Sequence, residues 1–346
     1  MKEQEYVLYR EDEYTYPAGF GFIPFLHAYL HEDSRTRPVM IIAPGGAYRF
    51  VAPAEGEIVA RTFYDKGWNC FVLTYSTNML DLAPLNGQPL HDISRAVRYV
   101  RRYAEKFNAA PDRLAVCGFS AAGHLCASLA VHYMDDEETN PDYAPFSNRP
   151  QAAVLSYPVI SSGEFAHRDS FVALLGKDAS EEMLKYMSLE IQVTKETVPC
   201  FLWATVTDDA VPVENSYFFS EALKKSGVPY ALHIFSDGRH GLSVATEEWA
   251  DNKHASPYTL RQSEAAAKAV REGAAPKPEG EAAIFLAMLG GAAAPSEPGA
   301  AAADDASGAA GDAGSENTLP EFKNDPNPEA AIWPELADLW LKKMLG

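Results

Sequence analysis

Three residues of this chain have the types and settings that activated-serine chemistry requires. Ser120 lies in Ala115-Val116-Cys117-Gly118-Phe119-Ser120-Ala121-Ala122-Gly123-His124, where an apolar run meets a serine flanked by small residues. The run reads as a strand, and a helix follows at once. Such a turn is too tight for large neighbours. It pushes the hydroxyl out above the strand and aims the next backbone N–H, that of Ala121, at a substrate oxygen. A serine hydroxyl is a poor nucleophile at neutral pH and needs an adjacent base. His240 is the candidate, in Ser236-Asp237-Gly238-Arg239-His240-Gly241 after the apolar run 230–235. An acid must then fix the imidazole tautomer and stabilise its cation. Asp208 and Asp209 both follow the apolar run 201–205. The chemistry implied is acyl transfer through an acyl-enzyme. Bland roles exist for each residue: Ser120 as a helix cap, and Asp208 or Asp209 as a turn residue.

A fourth feature is Val39-Met40-Ile41-Ile42-Ala43-Pro44-Gly45-Gly46-Ala47-Tyr48, an apolar run ending in a glycine-rich turn. Glycines let a backbone approach a ligand closely and adopt positive φ. The turn therefore reads either as a source of oxyanion donors or as an ordinary β-turn. Of the other histidines, His124 lies on the helix after Ser120 and reads as a packing residue. His91, His132, His167 and His233 lack a catalytic position.

These residues need elements to hold them. Residues 5–31 read as one or two edge strands, 39–43 as a central strand, 54–66 as a helix and 69–75 as a buried strand. The clearest helix spans 89–107, where Ile93, Ala96, Val97, Val100, Ala104 and Phe107 fall on one face. Its opposite side carries Arg95, Arg98, Arg101 and Arg102, expected as a solvated surface. Residues 113–117 and 152–157 are further strands, and a helix is expected over 213–225. Strands alternating with helices imply an α/β fold, with a mostly parallel central sheet covered on both faces.

Composition sets outer bounds. The 346 residues, 47% hydrophobic, suffice for one large α/β domain of about 250 residues plus extras. The net charge of −19 comes without any Lys/Arg-rich run, so no nucleic-acid or membrane partner is expected. Cys70, Cys117, Cys126 and Cys200 show no metal-ligand spacing and read as buried free thiols. The N-terminus has no apolar signal core, and no run reaches the roughly 18 apolar residues of a membrane span. A cytoplasmic location is the expectation.

Pro44 through Phe50, Gly118 through His124, Asp208 through Ser216, and Arg239-His240-Gly241 together resemble an α/β-hydrolase-fold serine esterase. The likeness is to the bacterial acetyl-xylan-esterase-like and acetyl-esterase group. It covers roughly residues 5–250 and the last helix. The chain order of serine, acid and histidine agrees. One departure is Ala122, where the usual pattern has glycine, with Gly123 one residue later. The resemblance implies Ser120, Asp208 and His240 as the triad, Asp208 being three positions before Val211-Pro212. It leaves Asp209 as a turn residue or cap. By register with the His-Gly-Gly-Gly loop of esterases, Pro44 takes the histidine position, and Gly46 and Ala47 join Ala121 as oxyanion donors. Tyr48, Phe50 and Phe119 are placed near the mouth, to stack on a sugar or close an acetyl pocket, unless they are core.

The activity implied is hydrolysis of short acyl esters, acetyl above all, on small-molecule or oligosaccharide substrates of plant origin, with no metal or organic cofactor. An arylformamidase or small amidase with the same triad is a second reading. A catalytically dead binding module on this fold is a third, but neither the serine nor the histidine is lost. The organisation expected is a catalytic body over 1–271 with a candidate cap at 161–197, a low-complexity insertion at 272–327, and a closing helix at 328–346. Within the insertion, 290–318 is expected to be flexible, and the apolar island 282–289 to dock as a helix. Trp333, Leu336, Leu339, Trp340 and Met344 supply the closing helix with its apolar face.

Overall fold

Short apolar runs, too short for buried helices, become the inner strands of one sheet, and the polar edge strand Lys2–Val7 joins them. The structure, a computed structural model, describes residues 1–289 and 324–346. The stretch 290–318, expected to be flexible, lies outside the described residues. The strands are β1 (Lys2–Val7), β2 (Phe25–Leu30), β3 (Arg37–Ala43), β4 (Asn69–Thr74), β5 (Ala109–Phe119), β6 (Ala152–Ser156), β7 (Cys200–Thr205) and β8 (Tyr230–Phe235). Their order across the sheet is β1-β2-β4-β3-β5-β6-β7-β8. Pairings β1/β2 and β2/β4 are antiparallel, and all others are parallel.

The helices are α1 (Glu57–Asp65), α2 (Gln88–Arg102), α3 (Ser120–His132), α4 (Arg168–Leu175), α5 (Glu181–Tyr186), α6 (Glu214–Ser226), α7 (Glu247–Ala250), α8 (Arg261–Arg271), α9 (Gly280–Leu289) and α10 (Trp333–Leu345). Period-two alternation sorts the strand side chains to two cores. Val39 and Ile41 face the layer of α2 and α3, while Met40 and Ile42 face that of α1 and α10. Both faces of the central strands are buried, which is why these strands read as unbroken apolar runs. The four cysteines are free and buried.

Three expectations need correction. The helix expected over 89–107 ends at Arg102, and a separate 3-10 turn covers Glu105–Phe107. The arginine side of α2 is not a solvated surface: Arg95 is 1% exposed and Arg98 6%. Arg95 makes a two-pronged pair with Glu138 at 2.6 and 2.7 Å and reaches Glu13 at 2.6 Å. Arg98 meets Asp136 at 2.5 Å. Helical periodicity marks a polar face, but acids from distant loops decide whether that face is wet. Last, Leu339 is 60% exposed, and the buried stripe of α10 is Trp333, Ala337 and Leu341.

The segment 161–197 forms α4 and α5. Phe171, Leu174, Leu175, Met187 and Leu189 pack into the main core. The apolar island is helix α9, whose Phe285 ring lies 4.8 Å from that of Phe50 and whose Leu286 packs with Met79. Among the described residues, no helix is long and apolar enough to cross a membrane.

Candidate active site

All the candidate residues leave the carboxyl ends of neighbouring strands. Ser120 follows β5, Asp208 follows β7, His240 follows β8, and the glycine turn follows β3, which pairs with β5. In open parallel sheets this edge is where ligands bind.

The turn at Ser120 is as tight as its small neighbours imply. Ser120 has φ +53°, a left-handed conformation that a non-glycine residue adopts at a cost of about 1–3 kcal/mol. Phe119 before it is still extended, and α3 begins at the serine itself. A Cβ on Gly118 would stand 2.0 Å from the Ala122 carbonyl oxygen, so only glycine fits there. A Cβ on Gly123 would stand 2.7 Å from Pro158. Close approach at the far side of the turn thus falls to Gly123, and Ala122 is accommodated.

His240 bridges the other two groups. Its Nε2 is 2.7 Å from Ser120 Oγ, and its Nδ1 is 2.8 Å from Asp208 Oδ2. A carboxylate only accepts, so Nδ1 carries the proton and Nε2 is free to accept from the serine hydroxyl. The Asp208 side chain is 1% exposed. Its other oxygen accepts the N–H groups of Ala210 and Val211 at 2.9 and 2.8 Å, which locks the carboxylate. Asp209 acts elsewhere on the same residue, its Oδ1 accepting the backbone N–H of His240 at 2.9 Å.

The glycine turn lies beside the serine. Gly46 has φ +119°, Ala47 +55° and Tyr48 +60°. A Cβ on Gly46 would stand 2.3 Å from the Phe50 carbonyl oxygen, so this turn closes only around glycine. Among the described residues, the N–H groups of Gly46 and Ala47 have no hydrogen-bond partner. The N–H of Ala121 is in the first turn of α3, where intrahelical partners do not exist.

A family model described as BD-FAE matches residues 26–223, more than half of the chain. The chain belongs to the BD-FAE family. It has the fold of the α/β hydrolases. It is 47% identical over 255 residues to "Endo-1,4-beta-xylanase B" of Butyrivibrio fibrisolvens, covering 74% of this chain and 40% of that protein. It is 27% identical over 224 residues to "Acetylxylan esterase" of Xylanibacter ruminicola, covering 63% of this chain and 43% of that one. It therefore spans less than half the length of these two relatives. Among solved structures, an acetyl ester-xyloside bifunctional hydrolase from Caldicellulosiruptor lactoaceticus superposes with a TM-score of 0.66 at 39% identity, covering 71% of this chain and 92% of that one. The α/β hydrolase MGS-M1, from a deep-sea metagenome, matches at 23% identity and a TM-score of 0.59 over 100% of this chain and 98% of that one, and speaks for the fold alone.

Two residues expected at the mouth of this BD-FAE protein are core instead. Phe119 is fully buried against Tyr157 and Trp333. Tyr48 is 1% exposed, and its hydroxyl donates to His124 Nδ1 at 2.9 Å. Strand alternation turns Phe119 away from the face that presents Ser120, and the left-handed turn tucks Tyr48 under the loop. His124 in turn donates from Nε2 to the Met187 carbonyl at 2.9 Å. Burial pushes the pKa of His124 down to about 4, so it is neutral.

Three residues near Ser120, Asp208 and His240 carry no plain mark in the sequence. His167, just before α4, is close enough to His240 and Asp208 to feel their charges; burial first, and His240 next, lower its pKa. Glu55 is 5% exposed and accepts the Gly45 N–H at 2.7 Å and the Tyr157 hydroxyl at 2.6 Å. The Tyr157 ring stands edge-on to His240 with centroids 5.0 Å apart. For Glu55 a faint signal exists, an acid in the apolar stretch Val51-Ala52-Pro53-Ala54-Glu55, directly after the glycine turn.

Proposed function

We propose that this BD-FAE protein is a serine carboxylesterase that hydrolyses short acyl esters, acetyl esters of xylan-type oligosaccharides above all. The observation that carries the reading is His240 standing between Ser120 and Asp208 at 2.7 and 2.8 Å, with the serine on a left-handed turn. In this reading Ser120 Oγ attacks the ester carbonyl carbon while its proton passes to His240 Nε2. The tetrahedral oxyanion accepts the N–H groups of Ala121, Gly46 and Ala47, and one such donor is worth about 3–4 kcal/mol. Collapse breaks the bond to the alcohol, which takes the proton from His240. Water then attacks the acyl-serine with His240 as base again, releasing the acid and restoring the hydroxyl. Asp208 stays ionised throughout and holds the imidazole.

Support for the substrate comes from the relatives, one named for acetylxylan and another for acetyl esters and xylosides. The test has two arms. A fluorophosphonate probe is expected to label the wild type and not Ser120→Ala. Acetate release from acetylated xylo-oligosaccharides is expected, with kcat/KM on p-nitrophenyl esters falling steeply beyond about four acyl carbons, because a small pocket rejects longer chains. Equal rates on decanoate point to a lipase instead, and preferential turnover of N-formylkynurenine to an arylformamidase.

A further inference from the structure

Glu55 is a buried carboxylate for which the triad has no use. It is 5% exposed, and no ion pair involves it among the described residues. Burial of an unpaired carboxylate costs several kcal/mol unless its oxygens are well bonded. Here each oxygen holds a donor from a different part of the site. Oε2 takes the N–H of Gly45, the residue before the two oxyanion donors, at 2.7 Å. Oε1 takes the hydroxyl of Tyr157, at the end of β6, at 2.6 Å. The Tyr157 oxygen then accepts the N–H of Ser243, three residues beyond His240, at 2.9 Å. Ser243 itself returns to the carbonyl of Ala54, next to Glu55, at 2.7 Å.

The backbone is shaped around this group. A Cβ on Gly45 would stand 3.0 Å from Glu55 Oε2 and 2.7 Å from the Phe119 carbonyl oxygen, so the glycine is what lets the carboxylate reach the turn. Tyr157 and Ser243, which complete the chain, both have positive φ, +37° and +49°. Two strained residues and one close-approach glycine converge on one acid.

We infer that Glu55 is a positioning residue for the esterase reaction, tying the oxyanion turn and the His240 loop to a single carboxylate and placing its negative charge behind the imidazole. The inference rests on the esterase reading above. Gly45 is fixed from behind, so the N–H groups of Gly46 and Ala47 point outward without reorganising as charge develops. The His240 loop is fixed through Tyr157, whose ring also packs on the imidazole. Burial raises the Glu55 pKa, while the Tyr157 and Gly45 hydrogen bonds and the charge on His240 work against that rise. The imidazolium that forms during turnover is thus a partner for this acid.

Among the described residues, the charged groups that meet His240 are Asp208 on its Nδ1, Asp209 on its backbone and Arg239 next to it in the chain, with His167 and Glu55 close enough to feel its charge. Glu55→Gln removes one charge of this set and keeps one acceptor oxygen, enough for the Gly45 N–H or the Tyr157 hydroxyl but not for both. NMR titration of the His240 imidazole is expected to move to lower pH in this variant, and this measurement needs no substrate. With p-nitrophenyl acetate, kcat per fluorophosphonate-titrated site is expected to fall ten- to a hundredfold with KM within threefold. Tyr157→Phe keeps the charge and cuts the link to the His240 loop. It is expected to lower kcat about tenfold, and it carries the test if Glu55→Gln folds poorly. An unmoved His240 titration together with kcat per site within twofold of wild type in both variants overturns the inference, and assigns Glu55 to stability alone. A wild type that turns over no ester while Glu55→Gln still shifts the His240 titration defeats the esterase reading and leaves the coupling standing.

Discussion

Asp209 accepts the backbone N–H of His240 at 2.9 Å, while its neighbour Asp208 holds the imidazole at 2.8 Å. Adjacent acids thus grip one histidine at two points, and only one grip touches the ring. Asp208→Asn places an amide opposite Nδ1 and favours the wrong tautomer, so kcat is expected to fall by about 10³–10⁴. Asp209→Asn keeps an oxygen able to accept the N–H, and about tenfold or less is expected. Steady-state kinetics on p-nitrophenyl acetate check this. The reverse ranking of the two variants refutes the assignment of Asp208.

The turn at Ser120 makes a second prediction. Ala122 replaces the usual glycine, yet the close approach lies at Gly118 and Gly123. Ala122→Gly restores the common pattern and is expected to leave kcat/KM within threefold. It costs about 1 kcal/mol of stability, because glycine is the poorer residue in α3. Gly118→Ala drives a methyl into the Ala122 carbonyl, 2.0 Å away, and the serine must move. A loss of about a hundredfold or more is expected from such a displacement. Urea melts and initial rates on both variants test the pair.

Much of the site is legible in the amino-acid sequence, and the reasons differ by residue. Ser120, Asp208 and His240 each follow an apolar run with turn residues, so local chemistry locates them and chain order groups them. Ala282–Leu289 is visible as an apolar island, but its seat against Phe50 depends on a contact between residues far apart in the chain. Arg95 misleads because its acids, Glu13 and Glu138, are also distant in sequence. Glu55 is only faintly marked for the same reason, since Tyr157, which holds its other oxygen, follows β6 and is far away in the chain. Tyr48 and Phe119 mislead because an aromatic beside a catalytic loop reads the same whether it faces substrate or core. Leu339 misleads because hydrophobicity alone does not fix which of two adjacent stripes a helix buries.

His124 gives a pH prediction for stability. Its folded pKa, about 4, lies below the ordinary 6.5 because burial disfavours the cation. The unfolded chain therefore binds the proton first as pH falls. No penalty exists well above pH 6.5. It grows below that value and is complete below about 4, reaching about 3 kcal/mol. His124→Gln is expected to remove this part of the pH dependence while costing stability at pH 7 through its contacts with Tyr48 and Met187. Urea midpoints between pH 7 and 4.5 measure both effects. An identical pH slope in the variant rules out His124 as its source.

The closing helix separates two residues that look equivalent in sequence. Trp333 is fully buried, stacks on Trp203 at 5.3 Å and contacts Phe63 and Phe119 at 5.8 and 5.9 Å. Its Nε1 donates to the Ser243 carbonyl at 2.7 Å, so α10 braces the loop that carries His240. Leu339, six residues on, projects into solvent. Trp333→Ala is expected to cost about 3–5 kcal/mol through the cavity it leaves. Leu339→Ala is expected to stay within about 0.5 kcal/mol, as surface substitutions do. Trp333→Phe is the sharper variant. It retains most of the packing but leaves the Ser243 carbonyl without its donor, a cost of about 1–3 kcal/mol. If that carbonyl anchors the histidine loop, kcat falls in Trp333→Phe while Leu339→Ala keeps wild-type kinetics. Thermal melts and kcat on p-nitrophenyl acetate read the two consequences separately. Equal losses of stability at positions 333 and 339 contradict the orientation of α10.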